Sequence, residues 1–358
     1  MRFTRARATV AMAVLTVSLF AAACSSDGHT ATSTSAADAR GVTGESAPAS
    51  TVDTSGMTLK VGISAETPLN VTHTLSGAFD GTPYKVEWVN FDGSNAIMEA
   101  LAAGAVDVSF TLQAPVPVIA QANAAKPWTS ATAPVSLVAA WLTPGSGFVL
   151  LVHPGSGITD IRGLAGKSVA LARGTLGQYW LLSAAEHARL ASDAIKQSVM
   201  PAPDGRTAFR SGAVDALITG YRTGLALART GDGTIIASSN DVVPFYTVTV
   251  VRAGVLDDAA RAAAVNDMLR RLQANEVWFH DHPDLAAKSF VDQNDMNPAD
   301  ALASAKSEWR VREPLDDTTA RLLQQQADFF AKAGVAKSTV DVTVLFDRRF
   351  DAGVVRSS

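Results

Sequence analysis

Apolar and polar positions alternate along this chain with two distinct periods. Residues 59–64, 106–111, 167–172 and 214–219 are short runs built on Val, Ile, Leu, Ala and Phe, the pattern of strands buried in a sheet. Residues 147–153 and 246–252 read as two further strands. Elsewhere the apolar positions recur at helical spacing. Ile97, Met98 and Leu101 fall on one stripe, and the chain after Arg252 is helical in pattern almost throughout. Leu269, Leu272 and Trp278 mark a helix over 256–279, and Leu322, Leu323, Phe329 and Phe330 mark another over 319–333.

The pattern repeats itself. Gly104-Ala105-Val106-Asp107 returns as Gly212-Ala213-Val214-Asp215, an offset of 108 residues, and the same offset carries strand 59–64 onto 167–172. Each copy reads as strand, amphipathic helix, a glycine where a helix end tolerates positive φ, and a second strand. That is a βαβ crossover, and two copies imply two sheets with parallel centres. Asp92-Gly93 and Asp204-Gly205 are expected to be turns ahead of each copy's helix. The expected fold class is therefore α/β with two lobes, each a sheet flanked by helices. Residues 58–150 and 250–358 form the first lobe and 151–249 the second, and the paired strands 147–153 and 246–252 mark the crossings.

The ends change the picture of where the protein works. Arg2, Arg5 and Arg7 precede an uncharged, largely apolar run over residues 8–23, the layout of an export signal at residues 1–23. Cys24, the chain's single cysteine, follows at once and cannot form an internal disulfide. Phe20-Ala21-Ala22-Ala23-Cys24 resembles a bacterial lipobox, whose cysteine takes a diacylglyceryl group and becomes the new N-terminus. Residues 24–57 are rich in Ser, Thr, Ala and Gly, too poor in apolar surface to fold, and are expected to act as a tether. Losing the three arginines of the signal moves the formal charge from −4 to −7. With no cluster of Lys or Arg, nucleic acid is an unsuitable partner.

In open α/β sheets, ligands bind beyond the carboxyl ends of strands, where helix N-termini present unpaired N–H groups. Four segments meet that description. These are residues 64–67 with Ser64; Gly93, Ser94 and Asn95, with Ser94 as an N-cap; Gln113, Ala114 and Pro115; and Gly174, Thr175, Leu176, Gly177 and Tyr179. Arg173 or Arg222 would suit an anionic group, and Tyr179, Tyr221, Phe245 and Tyr246 would wall an apolar one.

Over residues 58–300 the chain resembles the extracytoplasmic solute-binding proteins of ABC importers for sulfonates, nitrate and taurine. The resemblance rests on residues 86–91, 96–107, 113–115, 158–170 and 208–216 in that order. It implies a type II periplasmic-binding-protein fold that closes on its ligand about a hinge. The family often has Gln where this chain has Ser64, Asp where it has Gln113, Ser where it has Thr175, and Trp-Asp-Pro near Tyr221 and Arg222. The resemblance also implies an exported monomer, lipid-anchored on the outer face of the cytoplasmic membrane, with an ABC permease and its ATPase as partners. No cofactor and no reaction are expected. Two other readings share the fold: an enzyme of the desulfinase or pyrimidine-forming type, and a ligand sensor for a membrane receptor. His280-Asp281-His282 has metal-ligand residue types but no identifiable third and fourth ligand, so no metal is expected.

Overall fold

The computed structural model describes residues 52–354 except 66, 145–146, 192, 240–244 and 295. The export signal, Cys24 and most of the expected tether lie outside the described residues. The chain begins with β1 (Thr58–Ser64), α1 (Leu69–Leu75), β2 (Lys85–Phe91), α2 (Ser94–Ala102), β3 (Val108–Gln113), α3 (Pro115–Ala122) and β4 (Val135–Thr143). It continues through β5 (Phe148–Val152), β6 (Ser168–Leu171), α4 (Leu176–His187), β7 (Lys196–Val199), α5 (Ala202–Arg210), β8 (Ala216–Gly220), α6 (Tyr221–Arg229) and β9 (Thr234–Ser238). It ends with β10 (Phe245–Arg252), α7 (Ala259–Asp281), α8 (Pro283–Asn294), α9 (Pro298–Ser307), β11 (Val311–Glu313) and α10 (Asp317–Lys332).

Two sheets result, in the orders β11-β4-β10-β3-β1-β2 and β7-β6-β8-β5-β9. The trios β2-β1-β3 and β7-β6-β8 are parallel, and each is extended by an antiparallel strand, β10 beside β3 and β5 beside β8. The block β1-α1-β2-α2-β3 thus corresponds to β6-α4-β7-α5-β8, as the sequence repeat implies.

The repeated aspartate explains why the motif recurs. Asp107 accepts from the Lys60 backbone N–H (3.1 Å) and donates its own N–H to the Lys60 carbonyl (2.9 Å). Asp215 does the same with Ser168, at 2.8 Å and 3.0 Å. In both copies the carboxylate ties the strand that follows the helix to the start of its parallel neighbour. Gly104 and Gly212, at φ +77° and +75°, turn the chain out of the helix before it.

Asp204-Gly205 is not the turn that the repeat suggested. It lies in the first turns of α5, with Pro201 as the residue before the helix. Helix α5 packs on its sheet closely enough that a Cβ on Gly205 would sit 3.4 Å from Leu217 and 3.5 Å from Ala170, so the glycine serves helix–sheet approach.

The chain passes between sheets in the link from Thr143 to Phe148 and again in the link from Ser238 to Phe245. At these links the Phe148 and Phe245 rings meet at 5.7 Å, and the Phe148 N–H donates to Ser239 Oγ (2.9 Å).

Strand alternation sorts the cores. In the second sheet Leu150, Val152, Val169 and Ile218 face Trp180 and Leu181 of α4. Val149, Leu151, Ala170 and Leu217 face Phe209 of α5 and Leu227 of α6. In the first sheet, Leu137 and Val248 pack with Ile97, Leu101 and Leu323 on one face. Leu59, Val61, Phe110 and Trp141 pack on Met268, Leu269 and Leu272 of α7 on the other. Among the described residues, no helix is long and apolar enough to cross a membrane.

Candidate functional site

The carboxyl ends of the parallel strands in both sheets, with the amino ends of antiparallel β5 and β10, open on one cavity of about 930 Å³. The first sheet contributes Ser64 at the end of β1, Thr111 and Gln113 of β3, Thr143 of β4 and Thr247 of β10, with Ser94 and Asn95 from the start of α2. The second contributes Leu171 and Thr175 around the end of β6, Val199 to Gly205 after β7, and Leu217 to Thr223 across the β8–α6 junction. Phe148 and Phe245 stand at the chain crossings, and Glu308 and Arg310 arrive from the far end of the chain.

Several polar groups here have defined tasks. Ser94 is the first residue of α2 and not its N-cap, a place taken by Gly93. Its hydroxyl instead accepts from the Gln113 N–H at 3.1 Å, joining the α2 start to the end of β3. Thr175 does cap α4: its Oγ1 accepts from the Gln178 N–H at 3.4 Å and donates to the Ala172 carbonyl at 2.9 Å. Gln113 reaches across the cavity, where its Oε1 accepts from the Leu176 N–H at 2.9 Å. A neutral amide oxygen therefore occupies one of the N–H groups that α4 would offer an anion. Asn95 crosses as well, donating to the Arg173 carbonyl at 3.2 Å.

The charged residues are largely engaged. Arg222 pairs with Glu308 at 3.2 Å, both side chains nearly buried, and lies 5.1 Å over the Phe290 ring. Arg310 is gripped by Glu276 through its Nε (3.0 Å), its Nη2 and its backbone N–H (2.9 Å). Its Nη1 donates to the Phe110 carbonyl at 2.8 Å and to Thr247 Oγ1 at 3.3 Å. Arg173 donates to the Val335 carbonyl at 3.1 Å. The wall thus presents hydroxyls, amides and the paired Arg222 and Arg310, beside the charged side chains of Asp92, Glu99, Arg173 and Asp204.

Of the residues singled out in the sequence, Ser64, Gly93, Ser94, Asn95, Gln113, Arg173, Thr175, Tyr221, Arg222 and Phe245 line the cavity. Ala114, Leu176, Gly177, Tyr179 and Tyr246 do not. Ala114 is fully buried in the first-sheet core. Leu176 and Gly177 are buried too, and a Cβ on Gly177 would meet Ile218 at 2.8 Å. Tyr246 points opposite to the cavity-lining Phe245 and Thr247, because successive strand residues face opposite sides. Tyr179 turns away from the cavity and packs against Phe329 (4.9 Å) and Phe330 (5.8 Å) of α10. Burial, with Glu186 nearby, pushes its phenol above the usual range.

The sequence reading missed Glu308, Arg310, Thr143 and Thr247. Glu308 and Arg310 sit in the link between α9 and β11, which has no distinctive pattern, 62 and 64 residues from Tyr246, the nearest residue singled out around the cleft. The metal-type triplet has other work: His282 stacks on Trp278 at 5.1 Å, and His280 packs edge-on to Trp309 at 4.3 Å. Among the described residues, no group of His, Cys, Asp and Glu is arranged to hold a metal ion.

Residues 113–286 match the family described as NMT1/THI5 like. A Bacillus subtilis protein named for the binding of aliphatic sulfonates is 26% identical over 275 residues, covering 76% of this chain and 79% of the relative. The alkanesulfonate-binding protein of Xanthomonas axonopodis, solved with bound MOPS, superposes with a TM-score of 0.73 at 20% identity, covering 82% of this chain and 99% of that one. A desulfurization enzyme superposes with a TM-score of 0.58 at 17% identity, over 83% and 98% of the two chains. The chain therefore has the fold of periplasmic binding proteins, on which both binding proteins and an enzyme are found, and its residues 113–286 are similar to the NMT1/THI5-like family.

Proposed function

We propose that this chain captures an organic sulfonate in the cavity between its two sheets and delivers it to an ABC permease without transforming it. The observation that carries the reading is the cavity itself: the strand ends of both sheets converge on it, and Gln113 and Asn95 already reach from one side to the other. Hydrogen-bond donors fixed on strand ends and helix starts suit a sulfonate, whose single charge is spread over three oxygens and needs no dedicated counter-ion. The Bacillus relative, named for aliphatic sulfonates, supports the same solute class.

The reading extends to the cell. Residues 1–23 direct export, Cys24 takes the lipid, and the Ser- and Thr-rich tether lets the two lobes, 58–150 with 250–358 and 151–249, work above the outer face of the membrane. Closure of the lobes about the two chain crossings encloses the solute.

The desulfurization enzyme of the same fold sets the contrasting reading, in which a sulfur-containing solute is cleaved. A thermal-shift series with alkanesulfonates, taurine, nitrate, sulfinates and pyrimidines tests both. A concentration-dependent rise in Tm with sulfonates, and no sulfite released on prolonged incubation, is the expected result. A rise with nitrate or pyrimidines alone, or sulfite release, would overturn it.

A further inference from the structure

The cavity lining is polar on the first-sheet side and mixed on the other, where Thr175, Asp204, Thr219 and Arg222 share it with one apolar stretch. The first-sheet wall is polar, with Ser64, Ser94, Asn95, Thr111 and Gln113. The apolar stretch opposite, from Val199 at the end of edge strand β7 to Pro203, reads Val-Met-Pro-Ala-Pro. Pro201 and Pro203 have no N–H, so this segment loses two backbone donors where it faces the cavity. Leu217 and Ile218 continue the apolar surface behind it.

Val199 is 42% exposed, one of four large hydrophobic side chains that remain exposed among the described residues. Of the four, Val199 alone belongs to the cavity lining. A single exposed valine would mean little, but here it is continuous with Met200, Pro201, Ala202 and Pro203 on a concave wall, where an apolar ligand surface would cover it. The cavity is also large. At about 930 Å³ it lies near the upper end of the roughly 300–1,000 Å³ typical of sites for drug-sized ligands.

Resting on the sulfonate reading above, we propose that the preferred solute is an amphipathic sulfonate. Its head lies against the Ser64, Ser94 and Gln113 wall, and an apolar tail of about six or more carbons covers Val199 to Pro203. Val199 is then a specificity-determining residue. The competing chemistry is a short aminosulfonate such as taurine, whose ammonium group would be drawn to Asp92, Glu99 or Asp204 at the cavity wall.

Calorimetric titration of the full chain with ethane-, butane-, hexane- and octanesulfonate and with taurine separates these. The expected result is affinity rising by up to about fourfold per methylene, with octanesulfonate at least tenfold tighter than ethanesulfonate and taurine weakest. Val199→Asn flattens that chain-length dependence, while Val199→Leu keeps it. Because Val199 ends an edge strand and is exposed, both variants are expected to melt with the parent. Taurine or ethanesulfonate binding as tightly as octanesulfonate, or a slope unchanged in Val199→Asn, overturns this inference and leaves sulfonate capture standing. Failure of every sulfonate to bind removes both.

Discussion

Gln113 and Thr175 face each other across the cavity but do different work. Gln113 lines the wall proposed for the sulfonate head and bonds the α4 backbone, so Gln113→Ala should weaken sulfonate binding by about fivefold, the equivalent of about 1 kcal/mol, and lower the melting temperature slightly. Thr175 caps α4, so Thr175→Ala should also lower folding stability by about 1 kcal/mol, while Thr175→Ser retains it; urea denaturation reads the difference. Close packing dictates a third residue. A Cβ on Gly224 would stand 2.1 Å from a Val149 methyl group, and Gly224→Ala should cost about 1–3 kcal/mol as α6 is forced off its sheet. His73 introduces a pH dependence. Burial beside Trp88, at 4.6 Å between rings, holds its imidazole below the ordinary value of 6.5, although its bond to the Leu69 carbonyl opposes the shift. The folded state therefore resists protonation more than the unfolded chain does. Its contribution is complete above pH 6.5 and is lost as pH falls through the window below that value. Melting temperatures recorded from pH 7.5 to 5 should fall less steeply in His73→Gln than in the parent.

At the scale of elements, the salient pairing is α6 against α9. Arg222 and Arg229, seven residues apart and so on one face of α6, hold Glu308 and Asp300 at the two ends of α9. The two pairs are not equivalent. Arg222 and Glu308 are both nearly buried, whereas the Arg229 side chain is 44% exposed. Water screens the outer pair, and loss of one partner from the inner pair strands a desolvated charge. Double-mutant cycles on stability should give a coupling of about 2 kcal/mol or more for Arg222 with Glu308, and below about 1 kcal/mol for Arg229 with Asp300. Equal couplings would show that burial does not grade this contact. On the other side of the molecule Tyr179 of α4 packs on Phe329 and Phe330 of α10, and the solvated Lys332–Glu186 pair beside it adds little.

At the scale of the whole molecule, the described residues of the two sheets and their helices meet through polar bridges, the ion-paired α6–α9 contact, the Phe148–Phe245 contact and a small apolar cluster of Ile119, Ala122, Tyr179 and Phe330, with the cavity lying among them. Such a surface can open at modest cost, which is what reversible capture of a solute requires. The proposed tether belongs to this scale too. Replacing Cys24 by Ser should shift the protein from the membrane fraction to the soluble fraction after cell lysis; continued attachment would place the anchor elsewhere.

Part of the order of strands and helices was legible from sequence, the repeated β1, β3, β6 and β8 above all, because these are decided locally, by apolar periodicity and by turn residues such as Gly104 and Gly212, whereas β4, β7, β9 and β11 went unread. The repeat was legible because the tie made by Asp107 and Asp215 uses the same short motif twice. Cavity residues on strand ends and helix starts, such as Ser64, Gln113 and Thr175, could be found by the same local logic. The facing of Tyr179 and Tyr246 could not, since both are ordinary amphipathic residues whose direction depends on what packs against the element. Nor could Glu308 and Arg310, whose partners Arg222 and Glu276 lie 86 and 34 residues away. Charges so separated in the chain are matched only when folding buries them, because desolvation then makes an unmatched charge too costly.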